Sequence, residues 1–411
     1  MMMKNLLFIE SNTTGTGARA MKIAKQLGYQ IHFWTVNPQQ YKAIVDDNPL
    51  ELADKVTVID TYNIDLMKEE LERSNVNFDG ILAFDDYHLI PAAELTKFLG
   101  LKGHNIESLN RVRYKHLTRS YLAEHNFRDF LQPSFHIVNC LEDLIDLKIQ
   151  FPCVIKPVDD SGSNGVSICQ NYNDLESSLL AELQRQHNER GYKLTRKWLI
   201  EEFIKGQEFS AEMLYTTGGW KLVSVTKKET YGYHAVECGH VTGPEINPIY
   251  DLEERCKKLL DILGLNYGAA HIEFFISGKD LYLVEVNPRL AGDCIPELVE
   301  ISTGVDMVKH IVLQAIGELT DINIVKQGYA AIKFILPFER GIYTDVRGID
   351  EAQSVKGVKR VSIVQLPFRA ESIKSSYQRL GFVIAEGDSM EKAIHFTQTA
   401  INMLKWSVVY E

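Results

Sequence analysis

The chain has 411 residues, enough for two or three domains with full cores. An apolar share of 45%, a charged share of 24% and a net charge of −11 are those of an ordinary globular protein, and without a basic block they argue against a nucleic-acid or membrane-surface partner. No apolar run reaches transmembrane length, Met1 to Phe8 is too short for a secretory core, and the six cysteines form no CxxC pair, so a reducing, cytoplasmic setting is expected.

The first 110 residues alternate strand-like and helix-like stretches. "NLLFIE" (5–10) leads into a glycine turn and a helix ending near Gly28. "QIHFWTV" (30–36), "KVTVID" (55–60) and "FDGILAF" (78–84) read as further strands, with a helix from about 65 to 74. This alternation predicts an α/β unit, a parallel sheet with helices on both faces. Gly15-x-Gly17-x-x-Ala20 satisfies a dinucleotide fingerprint, but Val36, Asn37 and Pro38 stand where the ribose-binding acid belongs. A tight turn in a Rossmann-like domain is the better reading.

Residues 111 to 131 look helical and basic, through Arg111, Arg113, Lys115, His116 and Arg119; such runs are usually solvated faces. "VIKP" and "VSIC" read as strands flanking the Ser/Gly loop of 158–169. "KWLIEEFIKGQEFSAEMLY" (197–215) carries two strands around Gly206, and 268–289 reads as an antiparallel pair turning near Ser277-Gly278. Beyond residue 320, "YAAIKFILPFERGIY" and "RVSIVQL" are strand-like, and 389–405 forms an amphipathic helix.

The chemistry concentrates in the later strands. Glu273 in "HIEFFI" and Glu285 in "YLVEVN" interrupt apolar runs, where a lone carboxylate is costly. A hairpin brings the two strands together, and Asn287, two residues after Glu285, shares its face. Two carboxylates and an amide oxygen suit Mg²⁺, which also binds substrate phosphates; a lysine or arginine partner across the sheet is the plainer alternative. No GxxxxGK[ST] is present, but Ser161-Gly162-Ser163-Asn164-Gly165 offers backbone N–H groups to anionic oxygens, beside the cation of Lys156. In "LIEEFIKGQEF" an apolar strand edge with Glu201 and Glu208 suits a purine and its ribose.

The ordered set of "NRVRYKHLTRSYLAEHNF", "VIKPVDDSGSNGVSI", "WLIEEFIKGQEFSAE", "HIEFF" and "LVEVNPRLAGD" resembles the ATP-grasp superfamily of carboxylate–amine ligases. "VECGHVTGPEI", "NPRLAGDCIPELVEISTGVDM" and "GFVIAEGDSMEKAI" look like the bacterial L-amino acid ligases, which make dipeptides. The resemblance implies an ATP-grasp fold of class α/β (α+β). A Rossmann-like domain (1–112) would precede the ATP-grasp domain (113–320, with a lid of about 150–205), and an α+β domain (321–411) would follow. It also implies roles. Lys115 and Lys156 would contact ATP phosphates, with Ser161, Gly162, Ser163 and Gly165 closing over them. Glu201, Glu202 and the backbone near Ile204 would hold adenine, and Glu208 the ribose. Glu273, Glu285 and Asn287 would ligate Mg²⁺ or Mn²⁺. Arg289 would stabilise the acyl phosphate, and Glu237, His240, Gly292 and Arg289 would meet a small amino-acid or carboxylate substrate, with a satisfied structural histidine the equal alternative for His240. For Asp293 the expectation is a cap on a helix starting near Pro296. A homodimer is the family-based expectation.

These parts suit a ligase that activates a carboxylate with ATP and passes it to an amine. The alternative is an ATP-grasp carboxylase that activates bicarbonate. It is disfavoured by the lack of a Met-Lys-Met biotin signature. An oxidoreductase using the Gly15 turn is disfavoured by Asn37, and a dead nucleotide sensor by the retained lysines, acids and arginine.

Overall fold

Alternate residues of the strand Lys4–Ile9 feed two different cores: Leu6 and Phe8 lie in one, Leu7 and Ile9 in the other. That is why the strand reads as a continuous apolar run, as parallel strands buried on both faces do. In the computed structural model, which describes residues 4–410 except 13, 14, 43, 45, 46, 245 and 372, this strand pairs in parallel with Tyr29–Thr35 and Gly80–Leu82. Lys55–Val58 completes a four-stranded parallel sheet at its edge. The helix Thr16–Gln26 packs into one core, while Ile64–Ser74 and Leu89–Phe98 pack into the other, so both faces are covered. Gly17 of the glycine turn is imposed by packing, since a Cβ there would run into the Ser11 hydroxyl.

The centre of the molecule is an eight-stranded antiparallel sheet. Its spatial order is Asp280–Asn287, Ala269–Ser277, Gln207–Thr216, Gly219–Tyr231, Val236–Thr242, Tyr329–Ile335, Gly381–Gly387 and Val358–Ile363. Phe209, Ala211 and Met213 enter the largest core from one face, together with Ala270, Ile272 and Phe274. The intervening Glu208, Ser210, Glu212, His271 and Glu273 therefore point to the other face. The sheet runs unbroken across residue 320, because Tyr329–Ile335 pairs with Val236–Thr242. A small sheet of Phe368–Ala370, Gly341–Arg347 and Lys405–Val409, and the helix Met390–Met403 capped by Ser389, complete the C-terminal part.

A second four-stranded sheet, ordered Phe135–Val138, Trp198–Glu202, Cys153–Pro157 and Ser167–Cys169, takes in the strands of the stretch expected as the lid. The two strands around Gly206 thus belong to different sheets, and the chain crosses between them at that glycine. A Cβ there would lie 2.5 Å from the carbonyl of Ile276, so the crossing passes directly against the central sheet. Residues 111 to 131 hold two helix ends rather than one helix. Ile106–Arg113 stops at Tyr114, whose extended backbone starts Lys115–Glu124, and Lys115 becomes the first residue of the second helix. Among the described residues, no helix is long and apolar enough to cross a membrane.

Candidate active site

A β-bulge decides where Glu285 points. Leu281 and Leu283 are buried in the core, so strict alternation would bury Glu285 with them. The register instead shifts: Glu285 lies opposite Glu273, Leu283 opposite Phe274, and Val284 has no partner on that strand. The extra residue resets the alternation, Val286 returns to the core, and Glu285 faces the same side as Glu273. The carbonyl of the bulged Val284 accepts a 2.8 Å hydrogen bond from Arg119.

Arg119 is not on a solvated face. It is 1% exposed, and its Nε also meets Glu201 at 2.9 Å, with Lys156 on the other Glu201 oxygen at 2.6 Å. This buried cluster ties the helix, the lid strand and the central sheet together. Burial opposes the charge of Glu201, but Arg119 and Lys156 outweigh it and hold the carboxyl at about 2. Burial also lowers Lys156, against the pull of Glu201. The Glu201 carboxylate is thus committed within the protein.

Glu285 has the plainer partner: Lys115 Nζ lies 2.9 Å from one oxygen, and the Asn287 amide donates to the other at 2.8 Å. Lys115 also donates to the carbonyl of Asp160 at 2.8 Å, at the base of the Ser/Gly loop. Burial works against its charge, yet Glu285 raises it overall. Glu273 meets Lys228 at 2.7 Å and His271 at 2.8 Å, and His271 meets the buried Glu212 at 2.9 Å. Burial disfavours an imidazolium here, but Glu212 and Glu273 hold His271 up at about 9. Glu208, 3.6 Å from Lys228, is pushed up to about 7 by burial. Lys228 is thus shared by Glu208 and Glu273, and His271 by Glu212 and Glu273.

These groups surround a cavity of about 240 Å³ between the lid and the central sheet. Lys115, Lys156, Glu201, Glu202, Ile204, Glu208, Glu273, Glu285 and Arg289 line it, and so do Ser161, Gly162 and Ser163. Glu237, His240 and Gly292 line it as well, and a Cβ at Gly292 would meet nothing within 4 Å. Glu202 is exposed and accepts from the Ser134 backbone N–H and hydroxyl at 3.3 and 3.2 Å. Asn287 lies just behind this cavity, against a smaller one of about 20 Å³.

Gly165 does not line the cavity. Its φ is +71°, and a Cβ would strike the Glu182 carboxylate and lie 2.7 Å from Arg185 Nη1. Gly165→Ala is expected to lower the melting temperature, because left-handed backbone alone costs a non-glycine residue about 1–2 kcal/mol. An unchanged thermal melt would count against this packing account.

Asp293 does not cap the following helix. Ile295–Thr303 starts from Cys294, which makes no side-chain cap bond. Asp293 instead takes Arg379 through two bonds of 2.9 and 2.6 Å, and His240 Nε2 at 3.1 Å. Burial would raise its carboxyl, but Arg379 dominates and lowers it strongly. Consecutive left-handed residues, Asp293 at φ 52° and Cys294 at φ 59°, turn the chain so that a cap geometry is lost. Glu237 accepts from Ser376 at 2.8 Å and from Ser163 at 3.4 Å, joining the loop to the C-terminal part.

Sequence reading missed Lys228, His271, Arg379 and Asp86. His271 carried a signal, since it stands two residues before Glu273 and must share its face. Arg379 and Asp86 carried none, because each arrives from a distant segment.

Residues 149–297 match the family model described as ATP-grasp domain, and residues 333–409 match L-amino acid ligase C-terminal domain 2. The chain carries an ATP-grasp domain and, after it, an L-amino acid ligase C-terminal domain. This ATP-grasp chain is 25% identical, over 99% of its length and 84% of the other's, to the uncharacterized protein y4rH of Sinorhizobium fredii. It is 23% identical to the formate-dependent phosphoribosylglycinamide formyltransferase of Bacillus subtilis, over 85% of this chain and 84% of that one. The crystal structure of the L-amino acid ligase from Bacillus licheniformis has the same fold, with a TM-score of 0.82 at 21% identity and 99% of both chains covered. The fold is the ATP-grasp fold, and the domain match supports an ATP-dependent ligase.

Proposed function

We propose that this chain joins amino acids through an amide or peptide bond by way of an acyl phosphate, releasing ADP and phosphate. The observation that carries the reading is one cavity lined by three lysines, a Ser/Gly loop, facing carboxylates and an arginine, within an ATP-grasp fold. The C-terminal match and the Bacillus licheniformis relative support amino acids as the substrates.

In this reading a substrate carboxylate oxygen attacks the γ-phosphorus of ATP, the bond to the β,γ-bridging oxygen breaks, and ADP leaves. An amine as free base then attacks the acyl carbon, and the tetrahedral intermediate collapses with loss of phosphate and a proton. Phosphoryl transfer asks the protein for position and charge neutralisation. Lys115 and Lys156 supply cations for the phosphates, and the Ser161–Ser163 segment covers them and excludes water. The backbone around Glu201, Glu202 and Ile204 would face the adenine, and Glu208 the ribose. Arg289 meets the acyl and phosphoryl oxygens, with Glu237, His240 and Gly292 around the amino-acid part.

Among the described residues, no three His, Cys, Asp or Glu side chains cluster to hold a metal. Glu273 and Glu285 stand opposite each other, with Asn287 bonded to Glu285, and this donor set fits Mg²⁺ or Mn²⁺ completed by phosphate and water. Such an ion would neutralise phosphate charge during transfer.

The test is to incubate purified protein with Mg-ATP and pools of amino acids, following ADP, phosphate and new amide masses. ADP with an amide mass is the expected result. AMP and pyrophosphate would overturn the acyl-phosphate route, and ADP release that needs bicarbonate but no amine would favour the carboxylase alternative.

A further inference from the structure

Arg289 reaches the cavity from the end of the strand Asp280–Asn287, but it is gripped from another domain. Asp86, in the loop between the strand Gly80–Leu82 and the helix Leu89–Phe98, accepts from Arg289 Nε at 2.7 Å and from Nη2 at 2.5 Å. Nη1 donates to the Leu290 carbonyl at 2.9 Å. A guanidinium has five N–H donors in a rigid plane. Three are used here, which leaves one N–H on each terminal nitrogen. Arg289 lines the large cavity, whereas Asp86 lines the smaller one behind it. The carboxylate therefore holds the arginine from the side away from the cavity.

We propose that Asp86 is a positioning residue for Arg289, fixing the plane of its guanidinium so that the two remaining N–H groups face the transferring group. This rests on the ligase reading for the role of Arg289. The flanking residues grip other parts of the same site. Asp85 meets Arg190 of the lid at 3.4 Å, and the Tyr87 hydroxyl lies 2.8 Å from both Asp160 Oδ1 and Ser161 Oγ. Three consecutive residues of one N-terminal loop thus hold the lid, the arginine and the phosphate loop. A bidentate carboxylate sets the orientation of an arginine, not only its charge. Without Asp86 the guanidinium keeps its charge and its place in the chain but loses its aim.

The experiment is a double-mutant cycle on the full chain with Asp86→Ala, Asp86→Glu, Arg289→Ala and the double Asp86→Ala/Arg289→Ala. Asp86→Ala should lower kcat about 10²-fold, the cost of misplacing a catalytic group by roughly 1 Å, with KM for ATP within about threefold of wild type. In the Arg289→Ala background the same change should lower kcat no further. Asp86→Glu keeps the charge and moves it by a methylene, so it should preserve the melting temperature while still lowering kcat. Independent, multiplicative losses, or lower thermal stability with kcat unchanged, would overturn the proposal. Calorimetry of Mg-ADP with orthovanadate gives the same cycle without turnover. Asp86→Ala should weaken vanadate binding only when Arg289 is present, and equal weakening in both backgrounds would sink the idea. Failure of the wild type to form ADP with any amino-acid pool would instead count against the ligase reading, leaving the vanadate cycle to judge Asp86.

Discussion

Glu285→Ala is expected to lower turnover by roughly 10³-fold, the scale for losing a metal or charge clamp on a transferring phosphoryl group. Mg-ATP should also bind more weakly. Glu285 faces Glu273 across the bulge and shares a hydrogen bond with Asn287, so its loss removes one of the two carboxylates proposed to hold the metal. The fold should survive. Lys115 loses its ion pair but keeps the Asp160 carbonyl at 2.8 Å, and the side chain lies at the cavity wall, where water can reach it. Glu285→Gln, which keeps the volume, serves as the control for packing. Steady-state kinetics across a magnesium titration, with a thermal melt alongside, check the result. Unchanged turnover at saturating Mg²⁺ would place the metal elsewhere.

Arg289→Ala should lower kcat by about 10²–10³-fold, as loss of a single donor to developing negative charge does. KM for ATP should change little, because the lysines and the Ser/Gly loop remain. The charge matters most as the transition state forms, so its loss appears in kcat rather than in ground-state binding. A stability cost is also expected, because Asp86 would be left buried without its partner, and breaking such a pair costs about 3–5 kcal/mol. Arg289→Lys should recover part of that stability but little of kcat, since a lysine cannot reproduce the planar fork. A defect confined to KM for ATP would assign Arg289 to nucleotide binding instead.

Much of the site was legible because local pattern carried it. A lysine ending a strand, a Ser/Gly loop after it and acids inside apolar strands each mark a residue whose burial needs a ligand or a partner. Lys156, Glu208, Glu273 and Glu285 reached one cavity for that reason, whereas Lys115, which lines it too, was marked by the resemblance alone. Gly165 did not, because a glycine in such a loop answers two different demands, an approaching ligand or an approaching neighbour. Here the neighbour is Glu182, and the sequence offers no sign of which demand applies. Arg119 was misread for a related reason. A basic helix face is solvated only if no strand packs on it, and here both the lid and the central sheet do.

By itself the sequence determined the two periodicities that build the layers: continuous apolar runs for a parallel sheet buried on both faces, and alternating runs for an antiparallel one. It also determined the order along the chain of the lysines, the Ser/Gly loop and the strand acids that are proposed to handle phosphate. The tertiary structure alone decided their orientation. Glu285 faces the cavity because Val284 is skipped in the register, and a period-two pattern cannot announce a skipped residue before the strand is paired. Asp86, Lys228 and Arg379 enter from segments far away in sequence, each bringing the opposite charge to a buried partner. Charge pairing at a few ångströms depends on how domains pack, so the answer to what compensates Glu285, here Lys115, became readable only once the chain was folded.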